Sequence, residues 1–310
     1  SMVFSLQLPH LAITTDGRPL VSSLSFEALL NAEWERINYF QNPLAIFVHP
    51  LVPLFSVPFY LASEPLFAQI RSGLNVQRDS ASFKSLVFLH NMALAVFSLW
   101  VAIFTWPMLL AELRRGGVKD VTCSLHFWHG TGPNASEGGH QAAGVATWAL
   151  IFYVSKYYEL VDTWILVLKN SDGRYQPSLL QKYHHSGVVL MIWLGMLTQA
   201  NGGIWGITLN ASIHVLMYSY YAAATLGFKS PLAKVLTNMQ MAQFVIGGML
   251  QSSFLLYGYD ECPASTPGML LLLWLVLGYL VGLLLLFSRM HRKKYAATKV
   301  AGQKCKQKDQ

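Results

Sequence analysis

The chain alternates long apolar runs with short polar breaks. No Lys, Arg, Asp or Glu occurs between Lys84 and Glu112, Lys182 and Lys229, Lys234 and Asp260, or Glu261 and Arg289. Each gap holds one or two helices of roughly 20 residues, the length that crosses a bilayer. The pattern predicts seven spans, at 44–62, 85–109, 142–168, 184–200, 203–226, 235–257 and 268–288. The first contains Pro50, Pro53 and Pro58 and is expected to kink. Only Asn201, Gly202 and Gly203 separate the fourth and fifth, which suits a tight turn. The expected architecture is an all-α integral membrane fold. An N-terminal segment, 1–43, leads into one transmembrane domain, 44–288, and a basic tail, 289–310.

Composition agrees with a membrane solvent. Of 310 residues, 53% are hydrophobic and only 12% are charged, about half the charge of a soluble domain. A soluble all-α protein would lack the polar surface to cover such a core. No cleavable signal peptide is apparent, so the first span would serve for targeting. Arg289, Arg292, Lys293, Lys294, Lys299, Lys304, Lys306 and Lys308 follow the last span. The positive-inside rule then puts the C-terminus in the cytosol and, with seven spans, the N-terminus in the lumen. Arg114 and Arg115 run against this orientation. The sequon Asn134-Ala135-Ser136 falls in the lumenal loop 110–141, where it could be glycosylated. Cys123 and Cys262 fall in the two lumenal loops, where an oxidising compartment permits a disulfide. Lys306 and Lys308, fifth and third from the end, resemble a dilysine retrieval signal of endoplasmic-reticulum membrane proteins.

Ionisable and amide groups at bilayer depth are costly and must face inward. The third span carries Lys156, Glu159 and Asp162, whose spacing puts them within about 120° on one face. The fourth begins Gln181-Lys182-Tyr183-His184-His185. The fifth has a stripe of Asn210, His214, Met217, Tyr218 and Tyr221. The sixth adds Gln240 and Gln243, and the second adds His90 and Asn91. Each cluster alone could be a structural bridge between helices. Together, across five spans, they predict a buried polar chamber open to the cytosol. The histidines near it are too sparse for a di-iron oxygenase, and the last span lacks the lysine that a retinal-binding receptor needs.

These residues also carry a resemblance. Lys156-x-x-Glu159-x-x-Asp162-Thr163 resembles the signature K-x-x-E-x-x-D-T of the very-long-chain fatty acid elongase (ELO) family. Gln181-x-x-His184-His185 resembles its H-x-x-H-H box. Asn210-x-x-x-His214-x-x-Met217-Tyr218-x-Tyr220-Tyr221 and Thr237-x-x-Gln240-x-x-Gln243 match two further motifs. The resemblance runs from about His90 to the final span. It implies seven spans, with the last six forming a barrel around an acyl tunnel, and a Cys123–Cys262 disulfide. The implied reaction condenses acyl-CoA with malonyl-CoA to 3-ketoacyl-CoA.

With no cysteine at the chamber, the nucleophile of a covalent route would be His184. His214, one span away, would orient it or assist proton transfer and malonyl decarboxylation; His185 is adjacent in the box, and Glu159 and Asp162 would fix imidazole tautomers. Asn210 and Gln240 would donate to oxyanions. Lys156, Tyr218, Tyr221 and Gln243 would contact substrate, and Lys182, Lys229 and Lys234 would hold CoA phosphates. Gln181 departs from the family's first box histidine; it cannot titrate, and no metal is expected. Q-x-x-H-H resembles algal and protist elongases of C18 polyunsaturated chains. No cofactor beyond the substrates and no nucleic acid is implied. Partner enzymes would be a 3-ketoacyl-CoA reductase, a 3-hydroxyacyl-CoA dehydratase and an enoyl-CoA reductase; a homodimer is left open. A lipid transporter and an inactive elongase-like scaffold remain the competing classes.

Overall fold

The computed structural model describes residues 11–131, 144–173, 175–228, 232–257, 262 and 266–308; side chains beyond residue 294 are not described. Among these residues the structure is helical, with one isolated bridge between Thr14 and Ile37. Besides two five-residue helices at Phe26–Leu30 and Leu125–His129, the helices are α1 (Leu51–Ala62), α2 (Glu64–Gly73), α3 (Ala81–Cys123), α4 (Gly144–Glu159) and α5 (Val161–Lys169). Then come α6 (Leu179–Leu197), α7 (Gly203–Thr225), α8 (Leu232–Ser252) and α9 (Pro267–Lys308).

Length and apolarity qualify Ala81–Cys123 and Pro267–Lys294 as membrane spans, and α1 and α2 qualify as a pair bent by 56°. These are the helices of an integral membrane protein. The first expected span differs from the sequence reading. Residues 43–48 form a 3₁₀ turn, the helix begins at Leu51, and it continues past a break at Ser63 to Gly73. Proline-rich sequence cannot donate the amide bonds of a straight helix. The third expected span is likewise broken, at Leu160, between α4 and α5. The second extends beyond its expected end, with Gly117 interrupting it at φ 70°. At the chain's end the helix runs on through the basic tail to Lys308.

α3 packs on α7, α7 on α8, α8 on α9, α9 on α6, α6 on α4 and α4 on α3, while α4 also touches α7. α1 lies outside on α6, and α2 lies on α5. At one end, Cys123 and Cys262 form a disulfide with their Cα atoms 4.9 Å apart. This ties the end of α3 to the segment leading into α9. The opposite end carries Arg78, Lys84, Lys169 and Lys294.

The N-terminal segment caps the disulfide end. The amides of Leu20 and Val21 donate to Leu197 O, Gln199 Nε2 donates to Gly17 O, and Gly268 N donates to Ser22 O. The first two satisfy the Leu197 carbonyl at the end of α6, and the last satisfies an amide left open at the start of α9. The cap is internally braced by Asp16, which pairs with Arg36 at 2.7 Å and Arg18 at 2.8 Å. The bond from Arg36, with help from Arg18, holds the Asp16 carboxyl well below the usual carboxylate range. Its contribution is present above the unfolded carboxylate pKa of about 3.9 and fades as pH falls toward the folded value. Asp16→Asn should therefore lower the Tm at pH 7, with the gap from wild type narrowing below about pH 4; an unchanged Tm at pH 7 would remove this brace.

Candidate functional site

Helical spacing carries the inward residues of several helices to one place, and a buried cation orders them. Lys156 and Glu159 are 1% and 2% exposed and pair at 2.6 Å, one turn apart on α4. The Lys156 ammonium also donates to Asn210 Oδ1 at 3.1 Å and lies 3.9 Å from the centre of the Phe152 ring. A lysine can only donate, so it selects the oxygen of the Asn210 amide. The amide nitrogen therefore faces His214 Nε2, at 3.1 Å. Nε2 must accept, which leaves the His214 proton on Nδ1, 3.7 Å from Glu159 Oε1.

A second array is centred on Asp162 at the start of α5. His90 Nε2 lies 2.8 Å from Asp162 Oδ1, and the Tyr218 hydroxyl donates to Oδ2 at 2.7 Å. His90 Nδ1 is 3.1 Å from the Tyr158 hydroxyl. Asp162 thus fixes the His90 tautomer. Glu159 meets His214 at 3.7 Å. A third array contains the departure from the histidine box. Gln181 Nε2 donates to Thr163 Oγ1 at 3.0 Å, and Thr163 meets the Tyr60 hydroxyl at 2.8 Å.

Two cavities meet in this region. A polar chamber of about 700 Å³ is lined by His90, Glu159, Asp162, Gln181, His184, His185, Asn210, His214, Tyr218, Tyr221, Gln240 and Gln243. An apolar cavity of about 200 Å³ runs toward the disulfide end, between Met191, Ile192, Met196, Gly206, Gly247 and Leu272. His184, Asn210, Gln243 and Phe244 line both. Four buried atoms in the chamber walls, Glu159 Oε2, His185 Nδ1, His214 Nδ1 and Gln243 Oε1, have no hydrogen-bond partner. Buried polar atoms are nearly always paired, so the vacancies suit a ligand or ordered water.

Most residues singled out from the sequence converge here, but Lys182 and Lys234 do not. Lys182 turns away to Glu64, at 2.5 Å. Lys234, on α8, is not among the residues that line the chamber. Lys229 and Asn134 lie outside the described residues. The basic rim is instead Arg78, Lys84, Lys169 and Lys294, which flank spans and could have been found as charges at helix ends. Gln240 reaches the chamber with its amide on Met217 Sδ at 3.1 Å. Sequence reading also missed the role of His90 and missed Tyr279, whose hydroxyl lies 3.2 Å from His184 Nδ1. Among the described residues, no group of three or more His, Cys, Asp or Glu could hold a metal ion.

Removing one member of a buried ion pair strands its partner, at about 3–5 kcal/mol. Lys156→Met should lower the Tm of the detergent-solubilised protein strongly. Adding Glu159→Gln should restore most of it while releasing His214 from its fixed tautomer, read by nitrogen-15 chemical shifts of labelled histidine. A single tautomer retained in the double variant would show that Lys156 does not set it.

Residues 45–303 match the ELO: GNS1/SUR4 family. Among similar proteins, fatty acid elongase 1 of Trypanosoma brucei brucei is 32% identical over 66% of this chain and 64% of its own length. That match spans slightly less than two thirds of the relative. Very long chain fatty acid elongase 6 of Gallus gallus is 30% identical over 71% of this chain and 78% of its own. Very long chain fatty acid elongase 3 of Homo sapiens is 27% identical over 74% and 76%. The matched residues include every helix that lines the two cavities, and the chain belongs to the ELO: GNS1/SUR4 family.

Proposed function

We propose that this protein is a fatty acid elongase that condenses a long-chain acyl-CoA with malonyl-CoA, giving 3-ketoacyl-CoA, carbon dioxide and free CoA. The observation that carries the reading is the position of His184, which borders an apolar tube on one side and a polar, basic-rimmed chamber on the other. An acyl-CoA has that polarity: an apolar tail, a thioester, and a phosphate-rich head.

In this reading the tail occupies the apolar cavity, and the phosphates lie toward Arg78, Lys84, Lys169 and Lys294. His184 Nε2 attacks the thioester carbonyl; the C–N bond forms as the C–S bond breaks, and CoA thiolate leaves and takes up a proton. The remaining amide N–H of Asn210 is the donor for the oxyanion. Malonyl-CoA then loses carbon dioxide, and its C2 carbanion attacks the acyl-imidazole, returning His184 and forming the new C–C bond. His214 and Lys156 act by holding Asn210. Gln181, tied to Thr163, serves as a wall of the chamber and not as a proton carrier.

The ring of α3, α4, α6, α7, α8 and α9 is read as a barrel of six spans around the tunnel, with the bent α1–α2 pair as the seventh. The basic end faces the cytosol of the endoplasmic reticulum membrane and the disulfide end its lumen, in line with the oxidised cysteines and the basic tail. A C18 polyunsaturated substrate is the choice suggested by the Q-x-x-H-H box. Separate reductases and a dehydratase complete the cycle.

The test is purified protein with labelled malonyl-CoA and acyl-CoAs from C14 to C22, saturated and polyunsaturated, without reductant. Label in 3-ketoacyl-CoA is expected, with C18 polyunsaturated chains preferred, and loss of about 10⁴-fold or more in His184→Ala. No product from any chain in a folded sample would replace this reading with that of an inactive relative. Gln181→His should leave kcat within about tenfold, because the amide carries no proton; a much larger change in either direction would give this position a proton-transfer role.

A further inference from the structure

The box histidines alone do not explain why His184 should present a free lone pair, since a neutral imidazole exists as two tautomers and only one leaves Nε2 unprotonated. The answer lies on α9, 95 residues away in sequence. The Tyr279 hydroxyl carries one proton, and it is given to the backbone carbonyl of His184 at 3.0 Å. The same oxygen lies 3.2 Å from His184 Nδ1. Its proton being spent, the phenol oxygen can only accept there, so Nδ1 carries the hydrogen. Nε2 then keeps its lone pair.

The contact is built by a reciprocal fit between α6 and α9. A Cβ on Gly187 would meet the Tyr279 ring at 2.3 Å, and a Cβ on Gly282 would meet the Tyr183 hydroxyl at 2.4 Å. The two tyrosine rings lie 5.4 Å apart, each over the other helix's glycine. Two missing side chains thus let the Tyr279 hydroxyl reach the backbone of the turn that carries His184.

We propose that Tyr279 is a positioning residue that locks His184 in the Nδ1–H tautomer and so makes Nε2 the nucleophile, with Gly187 the seat that holds it. This rests on the elongase reading, and its test separates the two. Nitrogen-15 shifts of histidine-labelled wild type, with His184 assigned through His184→Gln, report the tautomer whether or not the protein turns over. Nδ1–H is expected; Nε2–H would overturn the proposal. In kinetics run beside wild type, Tyr279→Phe keeps the ring and loses the hydroxyl. It should lower kcat, and the rate of CoA release from acyl-CoA alone, by roughly tenfold to a hundredfold, with KM for acyl-CoA within about twofold. Gly187→Ala, which displaces the ring, should behave alike. Wild-type kcat in Tyr279→Phe, or a raised KM with kcat unchanged, would overturn the proposal. An inactive wild type that still shows the Nδ1–H tautomer would count against the elongase reading alone.

Discussion

The buried Lys156–Glu159 pair is the constraint on which the rest of the site depends. Desolvating both charges costs several kcal/mol each, and a single contact at 2.6 Å returns that cost only with further bonds around it. The further bonds are Asn210 Oδ1 and the face of Phe152 for the ammonium. Once the lysine has taken the amide oxygen, the Asn210 amide, the His214 tautomer and the relation of His214 to Glu159 follow in turn. Such a pair is a poor device for stability. It is a good one for orientation, because each partner has one polarity and cannot be satisfied by a flipped neighbour.

The same logic recurs on the other side of the junction between the cavities. Tyr279 sets His184 as Lys156 sets His214: a group with a single role to play fixes the tautomer of a ring that has two. The arrays around Asp162 and Thr163 are separate hydrogen-bond sets and use residues of different helices. Unpartnered atoms gather where the arrays face the chamber, and the cavity walls beyond them are apolar. Polarity thus changes over a short distance, at the residues that border both spaces.

Much of this was legible because a helix turns a spacing into a face. Lys156, Glu159 and Asp162, or Asn210, His214 and Tyr218, needed only periodicity and the cost of polar groups in lipid to be placed inward. The breaks were harder to see. Leu160 lies between Glu159 and Asp162 with no glycine or proline to mark a break, yet it separates α4 from α5, and Asp162 meets His90 and not the box histidines. Lys182 sits inside the box, next to Gln181, but at an angle that turns it to Glu64 on α2. Tyr279 read as one more aromatic in the last apolar run; its contact depends on two glycines and on which helix α9 lies against, and neither follows from local pattern. The N-terminal cap is held by backbone bonds between segments far apart in sequence, which leave no periodic trace.

The central claim is that His184 carries the acyl group between the two substrates. The most direct measurement is to mix the purified protein with acyl-CoA alone, quench, and map its peptides by mass spectrometry while following CoA release. The account predicts release of one CoA per active chain and an acyl adduct on His184, discharged when malonyl-CoA is added. Condensation that proceeds with both substrates present, with neither CoA release nor an adduct when malonyl-CoA is withheld, would contradict it and require direct transfer between two bound thioesters.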